Sequence, residues 1–156
     1  MLRVLDRLDK LGVQLPVPAT PVANYSGFVN YSGGKIYVSG QLPLENGELK
    51  FAGKVGAEIS VEDAQKAARI CAINLLAQLK LACEGQLGRV SRCIRLGVFV
   101  NADPNFTDHS IVANGASDFI VAALGEEAGK HARAAVGCNS LPRGACVEVD
   151  AIFQID

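Results

Sequence analysis

The chain has 156 residues, of which 49% are hydrophobic and 20% charged, with a formal net charge of −1 and no tryptophan. This composition excludes a disordered chain, and the length fits one domain, residues 1–156, whose core needs neither disulfides nor a metal. Lysines and arginines are scattered without a basic run and aromatics are few, so no nucleic-acid partner is expected.

No apolar run reaches the length of a membrane span, and the N-terminus lacks the uninterrupted apolar core of a secretory signal. A cytoplasmic protein with no membrane partner is therefore expected. The five cysteines, Cys71, Cys83, Cys93, Cys138 and Cys146, form no CxxC pair and read as free thiols packed as small hydrophobes. With only His109 and His131 beside them, no metal site is expected.

Taken in chain order, Leu2, Leu5, Leu8 and Leu11 recur at helical spacing and predict a short amphipathic helix that Gly12 stops. Pro16, Pro18 and Pro21 then make an extended connector. Strands are expected over 28–31 and 35–39 around a Ser-Gly-Gly turn, with a second turn at Asn46-Gly47 and an irregular loop over 50–56.

Ser60 caps a long helix whose apolar stripe is Ala64, Ala68, Cys71, Leu75, Leu79 and Ala82. Gln65, Lys66, Arg69 and Gln78 fall outside that stripe, and Gly85 closes the helix. A strand over 91–101 alternates Ile94, Leu96, Val98 and Val100 with Arg95, Gly97 and Phe99. A second helix over 110–124 carries Ile111, Ala113, Ser117, Ile120 and Val121 near one face and ends at Gly125. Two further strands, 132–139 and 145–155, flank a Leu-Pro-Arg-Gly turn. The order predicts an α+β fold with helices on one face of a mixed sheet. Too few elements remain to cover the other face, so oligomerisation is expected.

Few residues suggest chemistry. Residues 125–131, GEEAGKH, fall one residue short of a phosphate loop and read as a helix C-terminus. His131 fits either a general base or an exposed residue at a strand start, the latter favoured because no carboxylate stands where it would orient the ring. Cys138 and Cys146 lie among apolar neighbours and read as inert thiols. Arg133, Ala135 and Gly137 share one strand face, and Glu148, Asp150, Ile152 and Gln154 share another. If the two strands pair, Arg133 and Glu148 line one recess. On spacing alone a structural ion pair and a carboxylate-handling site both fit, the ion pair being the commoner arrangement.

The segments YSGGKIYVSGQLP and ARAAVGCNSLPRGACVEVDAIF, with the R-x7-LP-x5-E spacing they include, resemble the RidA family, also called YjgF-like or endoribonuclease L-PSP. The resemblance runs from about Tyr25 to the C-terminus, and residues 1–24 look like the extension of one branch. It implies a chorismate-mutase-like mixed sheet covered on one face by two helices. It also implies a homotrimer with an inner sheet barrel and three inter-subunit clefts.

In the deaminase branch each cleft takes a small carboxylate-bearing imine or enamine, hydrolysed to a 2-keto acid and ammonia without a cofactor. On that resemblance Arg133 grips the substrate carboxylate and Glu148 positions water. Tyr25, Ser39, Gly40, Asn114 and Ala135 line the cleft. Two departures stand out: Tyr25 lies one residue further from Ser39 than is typical, and Ala135 occupies the place of a cysteine. A small-molecule binding or regulatory protein without turnover is the alternative. The family's historical label, a translation-inhibiting endoribonuclease, suits the near-neutral charge poorly.

Overall fold

The computed structural model of the chain describes residues 3–156. Within them run α1 (Val4–Lys10), β1 (Phe28–Tyr31), β2 (Lys35–Gln41), the small hairpin β3 (Leu44–Glu45) and β4 (Glu48–Leu49), and α2 (Val61–Ala82). They are followed by β5 (Val90–Asn101), α3 (His109–Leu124), the single turn α4 (Glu126–Gly129), β6 (Ala132–Cys138) and β7 (Val147–Ile155). The main sheet has the order β1-β2-β7-β5-β6. β7 lies antiparallel between β2 and β5, and β6 pairs in parallel with β5 after the α3 crossover. The α+β class, with α2 and α3 packed on one face, is as expected.

Local chemistry accounts for these elements. Gly33 and Gly34 supply φ of 74° and 73° at the first turn, and Asn46-Gly47 adopts φ of 51° and 78°, the paired positive values of a two-residue hairpin. Ser60 caps α2 by accepting a hydrogen bond from the Asp63 amide at 3.1 Å. The predicted stripe of α2 is buried throughout. α2 and α3 touch where Gly115 meets the Gln65 carbonyl, and a Cβ at Gly115 would collide with it.

Four sequence-based assignments are corrected. Leu2 lies outside the described residues. Of the other leucines of α1, Leu8 is buried but Leu5 and Leu11 are exposed, because a spacing of three drifts around the helix and the face meeting α3 is centred on Val4 and Leu8. On α3 the buried face is Val112, Ala113, Ala116, Phe119, Ile120, Ala123 and Leu124, while Ile111 is exposed and Val121 only half-buried. On β5 a bulge between Cys93 and Arg95 turns Cys93 into the core in place of Ile94. Gln78, placed outside the α2 stripe, is buried at 3% exposure beneath the N-terminal extension.

The sheet face away from the helices is uncovered. Val29, Tyr31, Tyr37 and Val136 stand there at 53%, 64%, 44% and 47% exposure, with Phe99 and Ile152 half-buried among them. Among the described residues no helix is long and apolar enough to cross a membrane. Cys71, Cys83, Cys93 and Cys146 are buried free thiols, and burial pushes Cys93 and Cys146 up to about 12, so they stay protonated and unreactive. The loop over 50–56 is stitched down: Lys54 Nζ donates to Asn101 Oδ1 at 2.9 Å and to the Asn139 carbonyl at 2.6 Å, and the Gly53 amide to the Gly144 carbonyl at 2.8 Å.

Candidate functional site

Arg133 and Glu148 do not share a recess within one chain, which corrects the expectation built on pairing their strands. β6 and β7 do not pair. Both flank β5, because the α3 crossover sets β6 outside β5 while β7 inserts on its other side. Arg133 stands opposite the buried Leu96 and so faces the helices. Glu148 stands opposite Phe99 and faces the uncovered side. The ion pair that does form is Arg95 with Asp150, at 3.4 Å and half exposed. Among the described residues neither Arg133 nor Glu148 has an ion-pair partner.

The arginine half of the site is built by β6 and one stripe of α3. Asn114 and Ser117 stand at i and i+3 on α3, so both side chains look down on Arg133, and the Ser110 carbonyl in the first turn lies beside them. Nη1 donates to Asn114 Oδ1 at 2.9 Å and to Ser117 Oγ at 3.0 Å, and Nη2 donates to the Ser110 carbonyl at 3.3 Å. A guanidinium has five N–H donors. The two left over are Nε–H and one on Nη2, nitrogens that share one edge and match the two oxygens of a carboxylate.

His131 continues the network and is not the exposed strand-start residue expected. Its Nδ1 meets the Gly129 carbonyl at 2.6 Å, which can only accept, so the ring carries its proton on Nδ1. Its Nε2, 2.9 Å from Ser117 Oγ, then accepts the serine proton, freeing a serine lone pair for Arg133. Ser117→Ala is expected to weaken binding of a small carboxylate at Arg133 about tenfold, since it removes one of the three bonds that aim the guanidinium, and a calorimetric titration reads this directly. Beyond Arg133 the same strand face continues with Ala135 and Gly137. His109 leans on Gly137 so closely that a Cβ there would lie 2.6 Å from its Nε2.

The carboxylate half of the site is built by a bulge. Between Val38 and Gln41, β2 has one residue more than β7 opposite it, which sets Ser39 and Gly40 out of register. Ser39 is pinned by its Oγ donating to the Ser26 carbonyl at 2.6 Å and its amide to the Gly27 carbonyl at 2.9 Å. Glu148 carboxylate atoms occupy the volume a Cβ on Gly40 would need, so any other residue there would push the carboxylate aside. Tyr25 stands half exposed on the same rim.

Burial raises the Glu148 carboxyl above its ordinary range, and the nearby Asp150 raises it further. Burial likewise raises Asp150, opposed by Arg95 and the Gly97 amide. A carboxyl raised in the folded state costs stability once ionised, and the cost fades as pH falls through the folded-state value. Glu148→Gln is therefore expected to raise Tm by about 1–3 °C at pH 7, the gain shrinking toward pH 4 in thermal melts run across that range. Cys138, half-buried on the same face as Glu148, is also raised by burial and donates to the Val100 carbonyl at 3.4 Å, as an inert thiol does.

Asn114, Ala135 and Arg133 thus gather in one half-site, and Tyr25, Ser39, Gly40 and Glu148 in the other. Sequence reasoning missed Ser117 and set His131 aside as an exposed residue, although the polar i, i+3 pair of Asn114 and Ser117 on α3 is a signal that finds the serine.

A mixed sheet with two helices on one face and a bulged Ser-Gly-Gln strand defines a chorismate-mutase-like α+β protein. Residues 5–153 match the YjgF/chorismate-mutase-like endoribonuclease family, and the chain belongs to it. Protein TCP17 of Trypanosoma cruzi is 47% identical over 154 residues, 99% of this chain and 95% of that one. Atu1372 of Agrobacterium tumefaciens is 49% identical with a TM-score of 0.91, over 98% of this chain and 92% of that one. RidA from an Antarctic Psychrobacter is 29% identical with a TM-score of 0.58, over 89% and 94%. The matches to TCP17 and Atu1372 span too much of this chain to leave out residues 1–24.

Proposed function

We propose that the protein is a homotrimeric imine and enamine deaminase that converts 2-imino acids to 2-keto acids and ammonia. The observation that carries this reading is the split site. Each half is built with care yet is incomplete alone, and the two lie on opposite faces of one sheet. The uncovered apolar face supports an interface, and β6, as an edge strand, lies at the rim where a neighbouring sheet can approach. A cleft between subunits then sets Arg133 of one protomer against the Glu148 carboxylate of the next.

In that cleft the free edge of Arg133 takes the substrate carboxylate. Glu148 accepts a proton from water as the water oxygen bonds to the imine carbon and the C=N π pair moves onto nitrogen. Glu148 returns that proton to nitrogen to give a carbinolamine, then carries the carbinol hydroxyl proton to the same nitrogen as the oxygen pair forms the carbonyl and the C–N bond breaks, so that ammonia leaves a keto acid. A carboxyl raised toward neutrality by burial suits this exchange better than an exposed one. No oxidant, metal or organic cofactor enters the balance. The test is ammonia release from freshly generated 2-imino acids of several sizes. Rates no faster than those in buffer overturn the proposal.

One observation favours a second reading, a 2-keto-acid-binding regulatory protein. Ala135 removes the thiol beside Arg133 while leaving the grip intact. Saturable keto-acid binding without turnover of any imine would select it. An RNA substrate has less support, given the charge of −1 and scattered cations.

A further inference from the structure

The N-terminal extension returns to the sheet beside the carboxylate half-site. After α1 docks through Val4 and Leu8, the chain runs along α2 and reaches Ala19. There the buried Gln78 of α2 donates through Nε2 to the Ala19 carbonyl at 2.9 Å. The other atom of the same amide, Oε1, lies 2.6 Å from where a Cβ on Gly27 would be. One buried glutamine thus bonds the loop over 19–27 at its start and packs closely against Gly27 at its end, and Pro21 stiffens the span between them. A buried amide on a helix face is costly unless its bonds are met, and this one is used to hold the extension.

What the clamp shapes is a recess of about 160 Å³. Pro21 and Val22 of the extension line it together with Tyr25, Gly40, Leu44 and Arg143. Its lining is mostly apolar, and one member of it, Gly40, packs against the Glu148 carboxylate. A dry cavity of about 150 Å³ accepts benzene, so this recess suits a branched aliphatic or phenyl group rather than a methyl.

We infer that the N-terminal extension, clamped by Gln78, is the specificity wall of the site, and that it selects 2-imino acids with a branched aliphatic or aromatic side chain. The inference rests on the deaminase reading for its substrate but on the recess alone for its preference. Pocket filling sets discrimination of this kind, roughly tenfold to two-hundredfold per methylene-sized difference.

The test compares kcat/KM for imines generated from leucine, phenylalanine, alanine and glutamate, using the full chain and two variants. The unaltered protein is expected to favour the leucine- and phenylalanine-derived imines over the alanine-derived one by at least about tenfold, mainly through KM. Ala19→Trp, on the exposed loop where folding is not at risk, narrows the recess and should lower that ratio at least about tenfold. Gln78→Leu, which keeps the bulk but not the bond, should lower it as well. A ratio near one in the unaltered protein, or one that neither variant moves, overturns the inference. If no imine is hydrolysed, the deaminase reading fails by itself. The same series of 2-keto acids, ranked by Kd in a direct binding assay, then decides the wall, and equal Kd values across side chains overturn it.

Discussion

Replacing Arg133 by alanine is expected to lower kcat/KM for any accepted 2-imino acid by about a hundredfold to a thousandfold, chiefly through KM. The guanidinium already spends three donors on Asn114, Ser117 and Ser110, so its position is set before a ligand arrives. A preorganised fork loses little entropy on binding, and each charge-assisted bond to a carboxylate is worth about 1.5–3 kcal/mol. Two such bonds account for the expected loss. Lysine at the same position keeps the charge without the fork, and should recover no more than about a tenth of the lost activity. Stability should hardly change, because Arg133 is half-buried and its former partners on α3 become open to water. A thermal melt beside the kinetic assay separates these effects. An Arg133→Ala protein with full kcat/KM would remove Arg133 from the site.

Much of this molecule was legible in one dimension. Alternation marked β5 and β7, and the Ala-rich stripe from Ala64 to Ala82 marked a helix pressed on a sheet. The turn glycines lay where positive φ is needed. Errors arose where one local pattern had two physical solutions. A bulge moved the core position from Ile94 to Cys93, and a β-bulge has no composition of its own. Gln78 reads as a surface residue by type, yet the extension covers it and gives its Nε2 a carbonyl partner.

The site was legible as residues and illegible as an arrangement. Periodicity shows which residues of β6 and β7 share a face. It does not show that β5 separates the two strands, and strand order decides whether Arg133 and Glu148 can meet. Asp150, the neighbour without an assigned role, proved to be the carboxylate with a structural partner, Arg95. That leaves Glu148 unpaired among the described residues and desolvated. Such a group lowers stability, and perturbed, unpaired carboxyls of this kind are where functional sites are sought.

Opposite faces within one chain lead to the sharpest expected result. At substrate far below KM, Arg133→Ala and Glu148→Gln should each leave almost no activity alone. Mixed before refolding in equal amounts, they should recover about one quarter of the unaltered activity, the fraction of inter-subunit clefts that draw Arg133 from one chain and Glu148 from its neighbour. The recovery depends only on which chain supplies which half, so varying the ratio of the two variants should trace a parabola with its maximum at equal amounts. Size-exclusion chromatography with light scattering on the same samples should give the mass of three chains. A site contained in a single chain predicts something different: every protomer in the mixture would lack one half, and no ratio would restore turnover. The uncovered face supplies an independent handle. Replacing Tyr37 by glutamate on that face should dissociate the assembly and abolish activity, although both half-sites stay intact in each separated chain.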